Sequence, residues 1–280
     1  MSSILAVGIA TLDIVNTLAS YPREDEEVRA QAQSRVRGGN ATNTLVILSQ
    51  LGHHCSWAGV LPREPDSQVV LDDLDRYRVD VTAVQRPVSG KLPTSYISLS
   101  ADTGSRTIVH YRDLPEYDFD AFDALDLSRY DWLHFEGRNI GELGSMLEKA
   151  RQAGIPCSLE VEKPREGIEN LFDLPDVLLF SRAYVRQKGF QNAGKFLASR
   201  NWRQPVFLAW GAAGAWCRIP AGEIMHAPAP EVAVADSLGA GDVFNAGIID
   251  ALLRKSSPEE SLHHAVRLAA VKCTRAGLVI

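Results

Sequence analysis

The chain has 280 residues, 45% of them hydrophobic and 23% charged, with 29 Lys and Arg against 35 Asp and Glu. This is the composition of a globular protein of one large or two modest domains, and a net charge of −6 argues against nucleic acid as the main partner. Cys55, Cys157, Cys217 and Cys273 form no C-x-x-C pair and read as reduced thiols, and no apolar run approaches the ~20 residues of a membrane helix.

No basic segment precedes the first apolar run, so no secretory signal is expected and the expected compartment is the cytoplasm. Ile4 to Ala10 is nearly continuous in apolar residues, the pattern of a strand buried on both faces. It runs into Thr11-Leu12-Asp13, which places Asp13 at the strand's carboxyl end, where open α/β sheets bind ligands. A turn-capping role fits Asp13 equally well on local grounds. The acidic run around Tyr21–Glu27 reads as a solvated turn, and the weak alternation from Val28 to Val36 as an exposed strand outside the main sheet.

Gly38-Gly39-Asn40 opens a helix over Asn40–Gln50, with Asn40 suited to cap it. Asn43 lies one turn on, so the two amides can face one ligand. Capping accounts for Asn40 but not for Gly38, Gly39 and Asn43 together. A strand over Cys55–Val60 and a helix over Ser67–Tyr77 follow. Ser95–Leu99 and Arg106–Tyr111 alternate and are joined by a Gly-containing turn, a hairpin signal. With Val28–Val36 it would build a small sheet apart from the core. Arg106, leaving that turn, can reach a phosphate, although a solvated arginine is the default reading.

From Trp132 the pattern becomes strand–helix alternation, which implies βαβ units and a parallel sheet. The expected strands are Trp132–Phe135, Pro156–Val161, Val177–Phe180 and Val206–Trp210, with helices over Ile140–Ala153 and Asn192–Ser199. Arg218–His226 looks like a hairpin after the turn Gly211–Gly214, and Pro258–Arg275 is a final helix. Charged clusters follow two strand ends, Glu136–Asn139 and Glu160–Arg165, the latter including Glu162 and Lys163. Each fits a surface turn, and their shared place at the ligand edge favours function. His53-His54 and His263-His264 read as surface or packing residues, because adjacent side chains diverge.

Most chemistry is concentrated in Asp236-Ser237-Leu238-Gly239-Ala240-Gly241-Asp242. An alternating run, Val232–Ala235, precedes it as an expected strand, and an apolar helix follows from Val243 to Leu253. The N–H groups that open a helix lack intrahelical partners and carry partial positive charge, which suits an anion. Asp242 in that first turn is a common helix stabiliser, but a second acid and two glycines beside it point to proton transfer. A dinucleotide fingerprint would need glycine at Phe244, and the P-loop-like Gly189–Lys195 has Phe196 where a hydroxyl should bind magnesium.

This stretch resembles the second signature of the PfkB, or ribokinase-like, family of carbohydrate kinases, D-T-x-G-A-G-D, with Ser237 for threonine. Gly38-Gly39-Asn40-Ala41-Thr42-Asn43 is similar to the first signature, about 200 residues earlier. Tyr21–Asp25, Gly104–Ile108, Glu136–Asn139 and Glu160–Arg165 are similar to the ketohexokinase branch of the family. The resemblance implies one three-layer α/β/α domain over residues 1–280, with a mostly parallel central sheet. Segments of about 14–37 and 88–114 would form a β-sheet lid, through which two copies pair as a homodimer.

By the same resemblance Asp242 is the catalytic base, with the N–H groups of Gly239, Ala240 and Gly241 facing the transferring phosphoryl group. Asp13, Gly39, Asn40 and Asn43 bind the sugar, Asp25 reaches the sugar of the other subunit, and Arg106 contacts phosphate or sugar. Gly211, Ala212, Gly214, Pro228, Cys273 and Gly277 flank ATP. Glu136, Glu160, Glu162, Lys163 and Asp236 stand behind magnesium and phosphate, and Mg2+ has no direct protein ligand. A monovalent cation such as K+ accompanies ATP in the family. Ser181–Tyr184 stands where many members carry N-x-x-E. The implied reaction is phosphorylation of a ketose, fructose to its 1-phosphate. Another sugar or a nucleoside as substrate, or a sugar-binding regulator without turnover, are the alternatives.

Overall fold

The first apolar run lacks polar alternation because it is buried on both sides. The computed structural model describes residues 1–220 and 222–280. In β1 (Ser3–Val7), Ile4 and Ala6 enter one hydrophobic core while Leu5 and Val7 enter another. The chain continues through β2 (Thr11–Leu18), β3 (Ala32–Gly38), α1 (Asn40–Gln50), β4 (His54–Ala58) and α2 (Ser67–Arg76). Then come β5 (Lys91–Ser100), β6 (Arg106–Asp113), α3 (Phe119–Asp123), β7 (Trp132–Glu136), α4 (Ile140–Gln152), β8 (Cys157–Val161) and β9 (Val177–Ser181). The last part holds α5 (Arg182–Gln187), α6 (Ala193–Ala198), β10 (Val206–Ala209), β11 (Ala215–Arg218), β12 (Ile224–Ala227), α7 (Ala240–Leu253) and α8 (Pro258–Cys273).

Eight strands form the central sheet in the order β12-β11-β10-β9-β8-β7-β1-β4. All neighbours from β10 to β4 are parallel, and β11 and β12 add an antiparallel edge. Leu45 of α1, Val243 and Ile248 of α7 and Leu262 of α8 fill the core on one face. Phe122, Leu147, Val185 and Phe196 from α3 to α6 fill the other. The result is the expected three-layer α/β/α arrangement. Because β1 has β4 on one side and β7 on the other, chain leaving these strands diverges and opens a crevice at their carboxyl ends.

A separate four-stranded sheet, β3-β2-β5-β6, stands over that crevice. β2 pairs antiparallel with β3 and parallel with β5, and β5 pairs antiparallel with β6. Arg37 of β3 ties this sheet to α2 through Asp73, with Nε and Oδ2 2.7 Å apart. Lys91 of β5 grips Asp66 at 2.5 Å and Glu64 at 3.0 Å, and Arg35 also pairs with Asp66.

Local expectations changed at several points. Asp13 is not the end of the first strand but lies within β2, aligned with Val36 and Ser95. The exposed strand expected at Val28–Val36 begins at Ala32, where pairing with β2 starts. Asn40 is the first residue of α1 and Gly39 is its cap, so the Asn40 amide is released to the crevice. Val232–Ala235 is not a strand. Small residues alternate there without a neighbouring ladder, Val234 is exposed, and the N–H groups of Ala235 and Asp236 donate to the Cys273 carbonyl instead. α8 starts as read, with a Ser257–Glu260 capping box and Pro258 in the first turn, and ends at Cys273.

Candidate active site

Two glycine turns bring the site together. Gly39 has φ 104°, and a Cβ there would lie 2.3 Å from the Ile9 carbonyl oxygen. A Cβ on Gly38 would lie 2.2 Å from Asp13 Oδ2. Only glycines allow the start of α1 to pass this close to the chain leaving β1. On the opposite side Gly239, with φ 75°, caps α7 in the left-handed region. Of the N–H groups expected to face phosphate, that of Ala240 instead donates to the Ser237 carbonyl, while among the described residues those of Gly241 and Asp242 meet no acceptor, and a Cβ on Gly241 would face open space. The start of α7 is therefore an open anion site.

Asp242 sits in that first turn and is buried. Its Oδ2 accepts a 2.7 Å hydrogen bond from Asn43 Nδ2 across 199 residues of sequence. Burial pushes the Asp242 carboxyl up to about 8, and Glu162 and Glu136 add to it, while the Asn43 bond and the Arg37 charge oppose. Glu160 is raised well above the usual carboxylate range, by burial first and then by Asp242, Glu136 and Glu162. Its Oε1 accepts from Asn40 Nδ2 and Asn245 Nδ2, both at 3.1 Å. Its buried Oε2 has no partner.

These groups line a cleft of about 1040 Å³ between the two sheets. Asp13, Ser95, Arg106 and His110 face it from the small sheet, and Glu136, Arg138, Glu160, Glu162 and Lys163 from the ends of β7 and β8. Gly39, Asn40 and Asn43 form its floor with Gly239, Ala240, Gly241 and Asp242, and Gly277 lies at its rim. Asp236 also borders the cleft, but its carboxylate is engaged. Oδ1 accepts from Leu238 N at 2.8 Å, and Oδ2 accepts from Gly277 N and buried Lys272, both at 3.0 Å. It therefore shapes the anion loop and ties it to the chain after α8.

Other expected site residues lie apart from this cleft. Gly211, Ala212, Gly214 and Pro228 gather beside the antiparallel edge, where Gly214 packs so closely on Ala227–Ala229 that a Cβ would meet Ala227 O at 2.0 Å. Cys273 is half-buried at the end of α8, one turn before Gly277. Asp25 is exposed with φ 62° in the loop between β2 and β3, outside its own chain's cleft.

Sequence reading passed over several participants. Asn245 lies three residues after Asp242, on the same face of α7, a spacing that was available to find it. Arg138 approaches Glu136 at 3.5 Å and Glu116 at 3.1 Å. His110 is pushed below its ordinary value by burial and by Arg138 and Arg112. Arg37, directly before the glycine pair, is buried and donates to Asn43 Oδ1 at 2.7 Å.

The match to the description "pfkB family carbohydrate kinase" extends over residues 1–280. The chain is 35% identical over 284 residues to ketohexokinase of Mus musculus, covering 96% of this chain and 95% of the relative. It is 23% identical to the ATP-dependent ribose-1-phosphate kinase of Halopiger xanaduensis, covering 99% and 94%. The ribokinase of Arabidopsis thaliana complexed with ribose and ATP superposes with a TM-score of 0.83 at 20% identity, covering 99% and 94%. The fold is thus ribokinase-like, and the chain belongs to the pfkB family of carbohydrate kinases.

Proposed function

We propose that this carbohydrate kinase transfers the γ-phosphoryl group of ATP to a ketose hydroxyl, with fructose giving fructose 1-phosphate. The observation that carries the reading is Asp242, a buried carboxylate in hydrogen-bond contact with Asn43, set beside unpartnered N–H groups at the start of α7. The choice of a ketose rests on the 35% identity to a ketohexokinase over nearly the whole chain.

In this reading Asp13, Asn40 and the Gly39 backbone hold the sugar hydroxyls beneath the small sheet, which serves as a lid, whereas Asn43, expected with them, has both amide atoms engaged by Arg37 and Asp242. Asp242 takes the proton of the attacking hydroxyl as its oxygen bonds to the γ-phosphorus and the bond to ADP breaks. A carboxyl pushed up to about 8 is a stronger base once ionised than an ordinary aspartate. The N–H groups of Gly241 and Asp242 stabilise charge on the phosphoryl oxygens, with Arg106 approaching from the lid. The residues beside β11 and β12, with Cys273 and Gly277, flank the adenosine end.

No group of three His, Cys, Asp or Glu among the described residues could hold a metal ion. The cleft carboxylates Glu160 and Glu162, with the bare Glu160 Oε2, fit the hydrated outer sphere of a Mg2+ carried by the nucleotide. Bound there, Mg2+ would neutralise phosphate charge. A lid-to-lid homodimer is part of the proposal. Ile108, Val109 and Tyr111 are half or more exposed on the small sheet, and Asp25 is free to reach a second copy. Reduced cysteines and ATP as donor support a cytoplasmic location.

The test is ADP release from MgATP with a panel of ketoses, aldoses and nucleosides, with the product identified. Preference for fructose and formation of the 1-phosphate support the reading. Turnover with another acceptor keeps the kinase and replaces the substrate. Sugar binding without turnover leaves a regulator.

A further inference from the structure

Three polar side chains from three elements connect to Asp242 in a single line. Arg37 of β3 is buried, its side chain only 1% exposed, and its Nε is 2.7 Å from Asp73 Oδ2 on α2. Its Nη1 donates to Asn43 Oδ1 at 2.7 Å and to Thr42 Oγ1 at 3.0 Å. Thr42 Oγ1 in turn donates toward the Gly38 and Gly39 carbonyls, at 3.0 and 3.1 Å. Asn43 then gives its Nδ2 to Asp242 Oδ2 at 2.7 Å.

The chemistry of these groups permits one arrangement. A guanidinium only donates, so the atom of Asn43 facing it must be the oxygen. A carboxylate only accepts, so the atom facing Asp242 must be the nitrogen. Turning the amide over would set donor against donor at Arg37 and oxygen against oxygen at Asp242. The guanidinium is itself fixed by Asp73 and Thr42, so the Asn43 amide cannot rotate without breaking contacts at both ends. We propose that Arg37 is a positioning residue for Asp242, acting through the Asn43 amide and through its own positive charge. The proposal rests on the reading of Asp242 as the base.

Charge acts on Asp242 as well as geometry. Asp242 is faced by Glu136 at the end of β7, Glu160 in β8 and Glu162 just beyond it, all of which oppose its ionisation. Arg37 from β3 supplies the opposing positive charge, and Asn43 from α1 supplies a neutral donor. A guanidinium stays charged even when buried. Thus a buried arginine joined to Asp242 through Asn43 would help decide at what pH the base is ionised. Asp73 and Tyr77, the groups that face Arg37 from α2 and its end, hold that charge in place.

The experiment is kcat/KM against pH for ADP release, using the acceptor selected by the substrate panel. It compares the unaltered chain with Arg37→Met, Arg37→Lys and the double variant Arg37→Met/Asp73→Asn. The double variant removes both charges of the pair, so it avoids leaving the Asp73 carboxylate, a quarter exposed, without its guanidinium. Arg37→Met and the double variant should move the acid limb upward by about one pH unit, which is ~10-fold less activity at pH 7, with recovery in alkali. Arg37→Lys keeps the charge and should leave the limb near its original position. An unmoved limb in a folded double variant overturns the proposal, leaving Arg37 as a strut between β3 and α2. Asp242→Asn is measured alongside. If it retains turnover, the base assignment falls and takes this proposal with it. If it is inactive while the limb is unmoved, only the proposal falls.

Discussion

Helix α7 carries two buried aspartates with opposite fates. Asp242 in the first turn is pushed up to about 8, while Asp250, eight residues on, is held well below the usual carboxylate range. Burial pushes both upward. At Asp250 it is overcome by His264, His53 and Arg254. His53 Nε2 and Arg254 Nε each lie 2.9 Å from Oδ1, and His264 Nε2 lies 3.0 Å from Oδ2. Asp242 has one neutral amide and faces three glutamates. The helix dipole would favour Asp242, at the N-terminus, over Asp250. Partners therefore outweigh the helix end. One carboxylate is ion-paired and ties α7 to the α1–β4 turn and to α8, and the other is left without a cation in contact.

The largest expected effect breaks the reactive end. Asp242→Asn should lower turnover by ~100-fold or more, with sugar affinity by calorimetry nearly unchanged. The same variant should melt higher than the unaltered chain at pH 7 and above. A carboxyl raised on folding gives stability that is fully present below its unfolded value of ~3.9 and is lost as pH rises toward about 8. A lower melting temperature for a folded Asp242→Asn would contradict the charge cost assigned to that end of the helix.

Breaking the ion-paired end should do the reverse. Asp250→Ala strands the buried His53 and leaves Arg254 and His264 without their shared carboxylate, and should cost roughly 3 kcal/mol in urea unfolding. Activity per folded molecule should hold. The pH sense also differs from Asp242: a lowered carboxyl gives stability present above ~3.9 and lost as pH falls through its folded value, so Asp250→Asn should flatten only the acid side of the stability curve.

A finer probe is the pH profile of the intact enzyme. If Asp242 is the base, kcat/KM of the free enzyme should rise with pH on a limb close to 8, because the carboxyl must lose its proton to accept one. A flat profile from pH 6 to 9 would mean that the working base lies elsewhere. The smallest effect is expected outside the helix. If the exposed Asp25 reaches a second copy's cleft, Asp25→Ala should raise the sugar KM several-fold with kcat little changed, and dilution below the dimer's dissociation constant should remove the difference. An equal KM at high protein concentration would remove Asp25 from the site.

The two ends of α7 were unequally legible in the sequence. Asp242 stands in a rare local pattern, glycines and acids at a helix start, and the pattern carries its own physical reason. Asp250 stands in an apolar helix with nothing local to mark it. Its partners come from 197 residues before and from a helix after it, so His53 and His264 read as surface or packing residues. β2 was missed for a related reason. Thr11–Leu18 is half-buried on both sides in a small sheet and lacks the clean alternation of a one-sided strand. Val232–Ala235 had the alternation but no neighbour to pair with.

The sequence by itself determined the two-sided strands of the central sheet and helix α1 at its observed bounds, where burial is nearly uniform, and it placed the start of α8 at Pro258. It also determined the two glycine motifs, because close backbone approach and positive φ restrict the residue type directly. Tertiary structure decided which carboxylates are raised by burial and which are ion-paired. It set Asn43 against Asp242 across 199 residues, Arg37 behind Asn43, and Gly211–Gly214 outside the main cleft. Such pairings depend on distance and burial in three dimensions, and charge energies in a low-dielectric interior follow those distances rather than sequence spacing.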